Sequence, residues 1–168
     1  DMATYLYKTT DLGKTFSSIA STDIVGYAHV IRQDPKAKQL LFLGTEFGLY
    51  LSLDEGASWL PFKNEVPQVS IRDAVIHPRD NDLVLATHGR GVIVIDNIEI
   101  LRALASVEIV NNVHIIPTKP AVRRIGGMGG WFQGENEYQG NSEDRSPRVW
   151  YVLKDRHLKG SFSVTIQD

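Results

Sequence analysis

Cysteine is absent from this chain, which excludes disulfide cross-links and thiolate chemistry. The compartment stays open, because many bacterial exported proteins also lack cysteine. No apolar run approaches the roughly 20 residues that a membrane-spanning helix requires. Neither sign of charge prevails: 18 basic residues stand against 20 acidic ones, the net charge is -2, and no block of like charges occurs. The footprint of a nucleic-acid or membrane-surface binder is therefore missing. So are a phosphate loop, a dinucleotide fingerprint and a nucleophile elbow, and no cofactor is expected. His29, His114 and His157 have no partners at metal-ligand spacing, so no metal is expected either. What remains is an ordinary globular composition, 42% hydrophobic and 23% charged over 168 residues, enough for one domain or one and a fraction.

What is present is a repeat. Thr9, Asp11, Gly13 and Phe16 recur 43 positions later as Ser52, Asp54, Gly56 and Trp59. The shared pattern is a hydroxyl residue, an Asp two positions on, a Gly two further, a second hydroxyl and an aromatic. A short carboxylate accepts hydrogen bonds from backbone N–H groups a few residues on, and Gly supplies the positive φ of a tight hairpin. Asp11 and Asp54 read as turn formers whose side chains hold their own backbone, and Phe16, Tyr50 and Trp59 read as core.

Around these turns the chain divides into short strands. Thr4 to Lys8 and Phe16 to Ile19 flank the first turn. Ala28 to Ile31, Leu40 to Leu43, Leu49 to Ser52 and Trp59 to Phe62 make a complete set of four, and Ser70 to Ile76, Leu83 to Ala86 and Val92 to Asp96 repeat it in the same order. The fourth member of the last set has decayed, since Ile98 and Leu101 stand where Gly56 and Trp59 would recur. Four short strands per 40 to 45 residues is the repeat of a β-propeller blade. Helical spacing over 98–105 predicts a short helix, and Val107 to Ile116 a closing strand. The expected organisation is thus all-β: blades over 1–116, a Gly-rich connector over 117–146 carrying Trp131 and Phe132, and over 147–168 the first hairpin of a β-sandwich, pairing Pro147 to Leu153 with Gly160 to Ile166.

The Thr9 to Phe16 and Ser52 to Trp59 segments resemble the Asp-box, or BNR repeat. With Gly44-Thr45-Glu46-Phe47-Gly48-Leu49-Tyr50 and Thr87-His88-Gly89-Arg90-Gly91, they make residues 1 to 116 similar to the C-terminal blades of Asp-box propellers of the sortilin-like and BNR glycosidase-like type. The last residues look like the start of an immunoglobulin-like domain. The resemblance implies a piece of a large exported protein of the bacterial periplasm, cell surface or medium, beginning inside a repeat and partnered by the remainder of its propeller. It implies a binding or scaffold role toward polypeptide or glycan, or else a glycoside hydrolase whose catalytic residues lie mainly in other blades. It supplies no catalytic residue here, because the arginines Arg32, Arg72, Arg90 and Arg102 fit no sialidase-like set.

Alternate turns of an up-and-down blade lie on opposite faces, which places Glu46, Phe47, His88 and Arg90 together on the face away from the Asp-boxes. An imidazole suits proton transfer and a guanidinium suits a carboxylate or phosphate. The plainer reading makes Arg90 the partner of a neighbouring acid and His88 a turn cap. Glu46 with Asp73, or Glu46 with another acid from blades outside this chain, is the carboxyl pair that a glycosidase reading would use, since that chemistry needs two carboxyls across the bond.

Overall fold

The structure is a computed structural model and describes residues 3–106, 112–116, 148–155, 159–161 and 163–165. It is mainly antiparallel β-structure with one short helix, and divides into two units, 1–108 and 109–168.

In the first unit, β1 (Tyr7–Lys8) and β2 (Ser17–Ser18) form a two-stranded ribbon. Strands β3 (Ala28–Gln33), β4 (Leu41–Thr45), β5 (Gly48–Ser52) and β6 (Leu60–Phe62) form a four-stranded sheet in chain order. Strands β7 (Ile71–Ile76), β8 (Leu83–Thr87) and β9 (Val92–Ile95) form a three-stranded one, followed by helix α1 (Glu99–Ser106). No sheet closes on itself.

The four-stranded sheet is the centre of the unit because β4 and β5 are apolar on both faces. Leu41-Phe42-Leu43 and Leu49-Tyr50-Leu51 are continuous runs without a polar alternate, the pattern of a strand covered on both sides. Leu41, Leu43 and Tyr50 pack with Trp59, Leu6 and Ile24 on one face. Phe42, Leu49 and Leu51 pack with Ile71, Ala74, Leu83, Leu85 and Ile98 on the other, so the second sheet is stacked on the first. Each large side chain buried this way contributes about 1.5–3 kcal/mol. Gly44 marks the closest approach, since a Cβ there would lie 2.8 Å from both Ile71 and Val30.

The turns over 9–15 and 52–58 are built alike. In the second, the Ser52 hydroxyl donates to Asp54 Oδ1 at 2.7 Å and accepts from Gly56 N–H at 2.8 Å, while Asp54 accepts from Ser58 N–H at 2.8 Å and Ser58 Oγ at 2.5 Å. In the first, Thr9, Asp11, Gly13 and Thr15 repeat every one of these bonds at 2.7–2.9 Å. Left-handed backbone falls on the same pair of positions in each, Leu12 and Gly13 or Glu55 and Gly56. The two carboxylates are spent on their own turns.

Helix α1 is fastened by a buried charge. Arg102, 5% exposed, donates from Nε and Nη2 to Asp34 Oδ2 at 2.9 and 2.7 Å, and from Nη1 to Asn81 at 2.6 Å and Glu99 at 2.8 Å. Asp34, 1% exposed, takes the N–H groups of Lys36 and Ala37 on its other oxygen. Burial alone would raise the Asp34 pKa, but the Arg102 hydrogen bonds and these two N–H groups outweigh it and hold it low. One guanidinium thus ties the helix to the β3–β4 turn of one sheet and the β7–β8 turn of the next.

Two expectations are revised. Phe16 is 63% exposed and not core, because its ring lies out over Gly13 while the packed side of the ribbon is made by Leu6 and Ile19; Trp59, the matching aromatic, is 3% exposed and donates its indole N–H to Ile19 O at 2.8 Å. Within Val107 to Ile116 the strand β10 occupies Val113–Ile116, and 107–111 lie outside the described residues. That strand belongs to the second unit, where it pairs antiparallel with β11 (Trp150–Leu153), Val113 opposite Leu153 and Ile116 opposite Trp150. The division between the two compact units falls after 108. The partner that the structure describes for β11 is β10, and within 160–166, of which 162 and 166 lie outside the described residues, no strand is described. The connector 117–146, with Trp131 and Phe132, lies outside the described residues.

Two predictions follow from these bonds. Arg102→Met strands the Asp34 carboxylate in the core and should lower the unfolding free energy by about 3–5 kcal/mol, read from the urea midpoint at constant slope. Asp11 is pulled from the ordinary 3.8 down to about 2, first by the Thr15 N–H and then by its hydroxyl. A depressed folded-state pKa stabilises above the unfolded value and loses that contribution as protons return, so the first turn should keep its full strength above about pH 4 and lose it toward pH 2. Carboxyl NMR titration of Asp11 should give a midpoint near 2 and, in Thr15→Ala, one displaced upward.

Candidate functional site

The β4–β5 turn meets the beginnings of β3 and β7 at the end of the sheets opposite the 52–58 turn that follows β5. Glu46 N–H donates to Tyr27 O at 3.2 Å, and His88 N–H, from the β8–β9 turn, donates to Ser70 O at 2.9 Å. Both long strands are irregular here. In β3 the register shifts between Ala28 and Val30, and in β7 between Ile71 and Asp73, which leaves His29 and Arg72 as the extra residues. A β-bulge re-aims a side chain. These two bulges occupy equivalent positions of successive repeats, and both side chains converge on Glu46.

The geometry is compact. His29 Nε2 lies 2.7 Å from Glu46 Oε2, the Ser70 hydroxyl donates to that oxygen at 3.1 Å, and Arg72 Nη2 stands 3.6 Å away. Tyr27 meets the His29 ring edge-on, with centroids 4.8 Å apart. The His29 hydrogen bond, largest of the causes, holds the Glu46 carboxyl below the usual glutamate range; partial desolvation opposes it, and Ser70, Tyr27 and Arg72 add to it. Glu46 is therefore an ionised acceptor at neutral pH.

Ser, His and Glu side by side do not make a nucleophilic triad here. Such a relay passes a proton across the ring, with serine on one nitrogen and the acid on the other. Ser70 Oγ and Glu46 Oε2 both approach Nε2, at 3.2 and 2.7 Å, and the serine proton goes to the carboxylate. Asp73 Oδ1 accepts from Arg32 at 3.1 Å and from Ala74 N–H at 2.8 Å. No group of three His, Asp or Glu side chains among the described residues could hold a metal ion.

The other face residues frame the cluster. Phe47 is 41% exposed and its ring lies across Gly26, where a Cβ would come within 2.7 Å of it. His88 and Arg90 are exposed on the β8–β9 turn, whose shape is set by Thr87: its hydroxyl donates to Gly91 O at 2.7 Å and accepts from Arg90 N–H at 3.1 Å. Among the described residues neither the His88 nor the Arg90 side chain makes a hydrogen bond or ion pair, so the acid partner considered for Arg90 is not among them.

Sequence reasoning placed Glu46 on this face but missed His29, Ser70, Arg72 and Tyr27. One signal was available: His29 and Arg72 stand 43 positions apart, as do Tyr27 and Ser70, the spacing of the two repeated Asp turns themselves. What spacing alone does not carry is the bulge that turns both side chains toward one carboxylate.

No family model, no curated protein and no solved structure matches this chain.

His29→Ala removes the strongest bond to the Glu46 carboxylate. The Glu46 titration, followed by carboxyl NMR, should lie below the ordinary glutamate range in the native chain and move up in the variant; an unmoved midpoint would show that the bond is not formed in solution.

Proposed function

We propose that this chain supplies blades of an Asp-box β-propeller from an exported, multidomain protein, and that the face bearing Glu46 binds polypeptide or glycan. The observation that carries the binding role is the convergence of both bulges on Glu46 beside an exposed aromatic. An ionised acceptor, the donors of Arg72 at its rim and the Phe47 ring offer a polar, repeating polymer a hydrogen-bond acceptor, donors and an apolar platform within one patch. A depressed carboxyl pKa suits holding a ligand better than donating a proton, which favours binding over glycoside hydrolysis as the role of Glu46.

The partner in this reading is the remainder of the same propeller, in the same or another chain. Two features support it. The two Asp-box turns match bond for bond, and the stack ends in apolar surface on both sides, with Val75, Val84 and Val94 in one cross-strand row of the second sheet and Tyr5, Tyr7 and Phe16 exposed around the ribbon. Val84 and Val94 hold the places that Phe42 and Leu51 hold in the first sheet, where those side chains are buried against the sheet that follows.

Calorimetric titration of the chain with β-1,4-linked hexasaccharides and with an unfolded, carboxymethylated polypeptide tests the proposal. One of the two probes should bind, and Glu46→Gln and Phe47→Ala should each weaken it by about tenfold or more, the loss of one charge-assisted bond or one aromatic contact. Binding that ignores both substitutions would assign the site elsewhere.

A further inference from the structure

The first sheet has four strands and the second has three. In the first, the outer side of β5 is taken by β6, with Leu49 opposite Phe62, Tyr50 opposite Pro61 and Leu51 opposite Leu60. Pro61 has no N–H, so the ladder to β6 runs through the backbones of Leu49 and Leu51, and the outermost strand is blunted by a proline. In the second sheet β9 lies at the edge, and helix α1 follows in the chain where the fourth strand would be.

The two strands correspond residue by residue, because Tyr50 pairs with Leu43 as Ile93 pairs with Leu85. Val92 and Val94 thus stand where Leu49 and Leu51 stand. Thr87 N–H bonds to Gly91 O, and antiparallel pairs alternate, so Ile93 and Ile95 spend their backbone groups on β8. The N–H and C=O groups of Val92 and Val94 point away from the sheet, and among the described residues no backbone group meets them. Their side chains are 65% and 51% exposed, and Val94 ends the row begun by Val75 and Val84. The edge Val-Ile-Val-Ile carries no proline, no charge and no bulge, the devices by which sheet edges are normally kept from pairing.

We propose that the outer edge of β9 is a docking edge for an extended polypeptide strand, which adds antiparallel as the fourth strand of the second sheet in the place that β6 fills in the first. The main chain of the partner bonds to Val92 and Val94, and its side chains on the outer face are apolar or β-branched, continuing the valine row. A partner with proline opposite Val92 or Val94 is excluded, since the ladder needs its N–H at those two positions. This edge is distinct from the Glu46 face and does not depend on it.

The test uses the whole chain and a short lysine-flanked peptide alternating valine and threonine, N-methylated at alternate residues so that only one of its edges can pair and it cannot assemble with itself. The Val92 and Val94 amides should gain about tenfold or more in hydrogen-exchange protection on binding, while the same peptide methylated at every residue should produce none. Val94→Pro removes one outward N–H without touching the ladder to β8, and should weaken the peptide by about tenfold. Glu46→Gln should leave this binding unchanged, which separates it from any binding at the loop face. Protection gained at β6 or nowhere, equal binding of the fully methylated peptide, or an edge already filled by a second copy of the chain in sedimentation without peptide would each overturn the proposal. If Val94→Pro fails to fold, the methylated peptide alone decides.

Discussion

The first unit depends on one buried ion pair. Arg102 reaches from α1 into the space between two turns, and Asp34 lies almost without solvent beneath it. Taking both charges out of water costs several kcal/mol each in effective terms. The cost is met because every polar group involved is satisfied: one Asp34 oxygen takes two guanidinium N–H groups, the other takes two backbone N–H groups, and the remaining donor goes to Asn81 and Glu99. No buried side-chain nitrogen or oxygen among the described residues is left without a partner. Such a bond is directional where the surrounding contacts of Ile98, Leu83 and Ala37 are not, and it gives the helix one place to sit.

That placement determines what the rest of the stack can do. The central sheet is covered on both faces, so β4 and β5 have no surface left for a ligand, and function is displaced to the strand ends. At one end Asp11 and Asp54 consume their carboxylates in their own turns. At the other, two bulges release His29 and Arg72 from the alternation of their strands and bring them to one glutamate from different sheets. The order of the sheets in the stack, and not the order of residues in the chain, makes the cluster.

The strands of 28–95 and the helix were legible because their signals are local: apolar alternation, paired turn residues, and a period that recurs within the chain. The repeated turn around Asp11 and Asp54 is the clearest case, since all of its bonds span four residues or fewer. Phe16 shows the limit. It occupies the position of Trp59 in the repeat, yet what covers an aromatic is decided by the neighbouring layer, and on its side of the ribbon no described layer is present. The pairing of β10 with β11 across more than thirty residues was invisible for a related reason, since a strand's pattern states which of its faces is apolar and not which strand will meet its edge.

The candidate site divides the same way. Sequence by itself determined the antiparallel β-character of the chain, the two self-contained turns and the position of Glu46 on the face away from them, because these follow from residue periodicity and from hydrogen bonds a few residues long. Only tertiary structure decided that Glu46 is held ionised by His29, Ser70 and Arg72, that Asp73 accepts from Arg32, and that the outer edge of β9 meets no strand among the described residues. Each of these is set by contacts 17 to 41 positions apart or by the lack of a fourth strand among the described residues, and such distances are closed by the stacking of sheets, which no local pattern encodes.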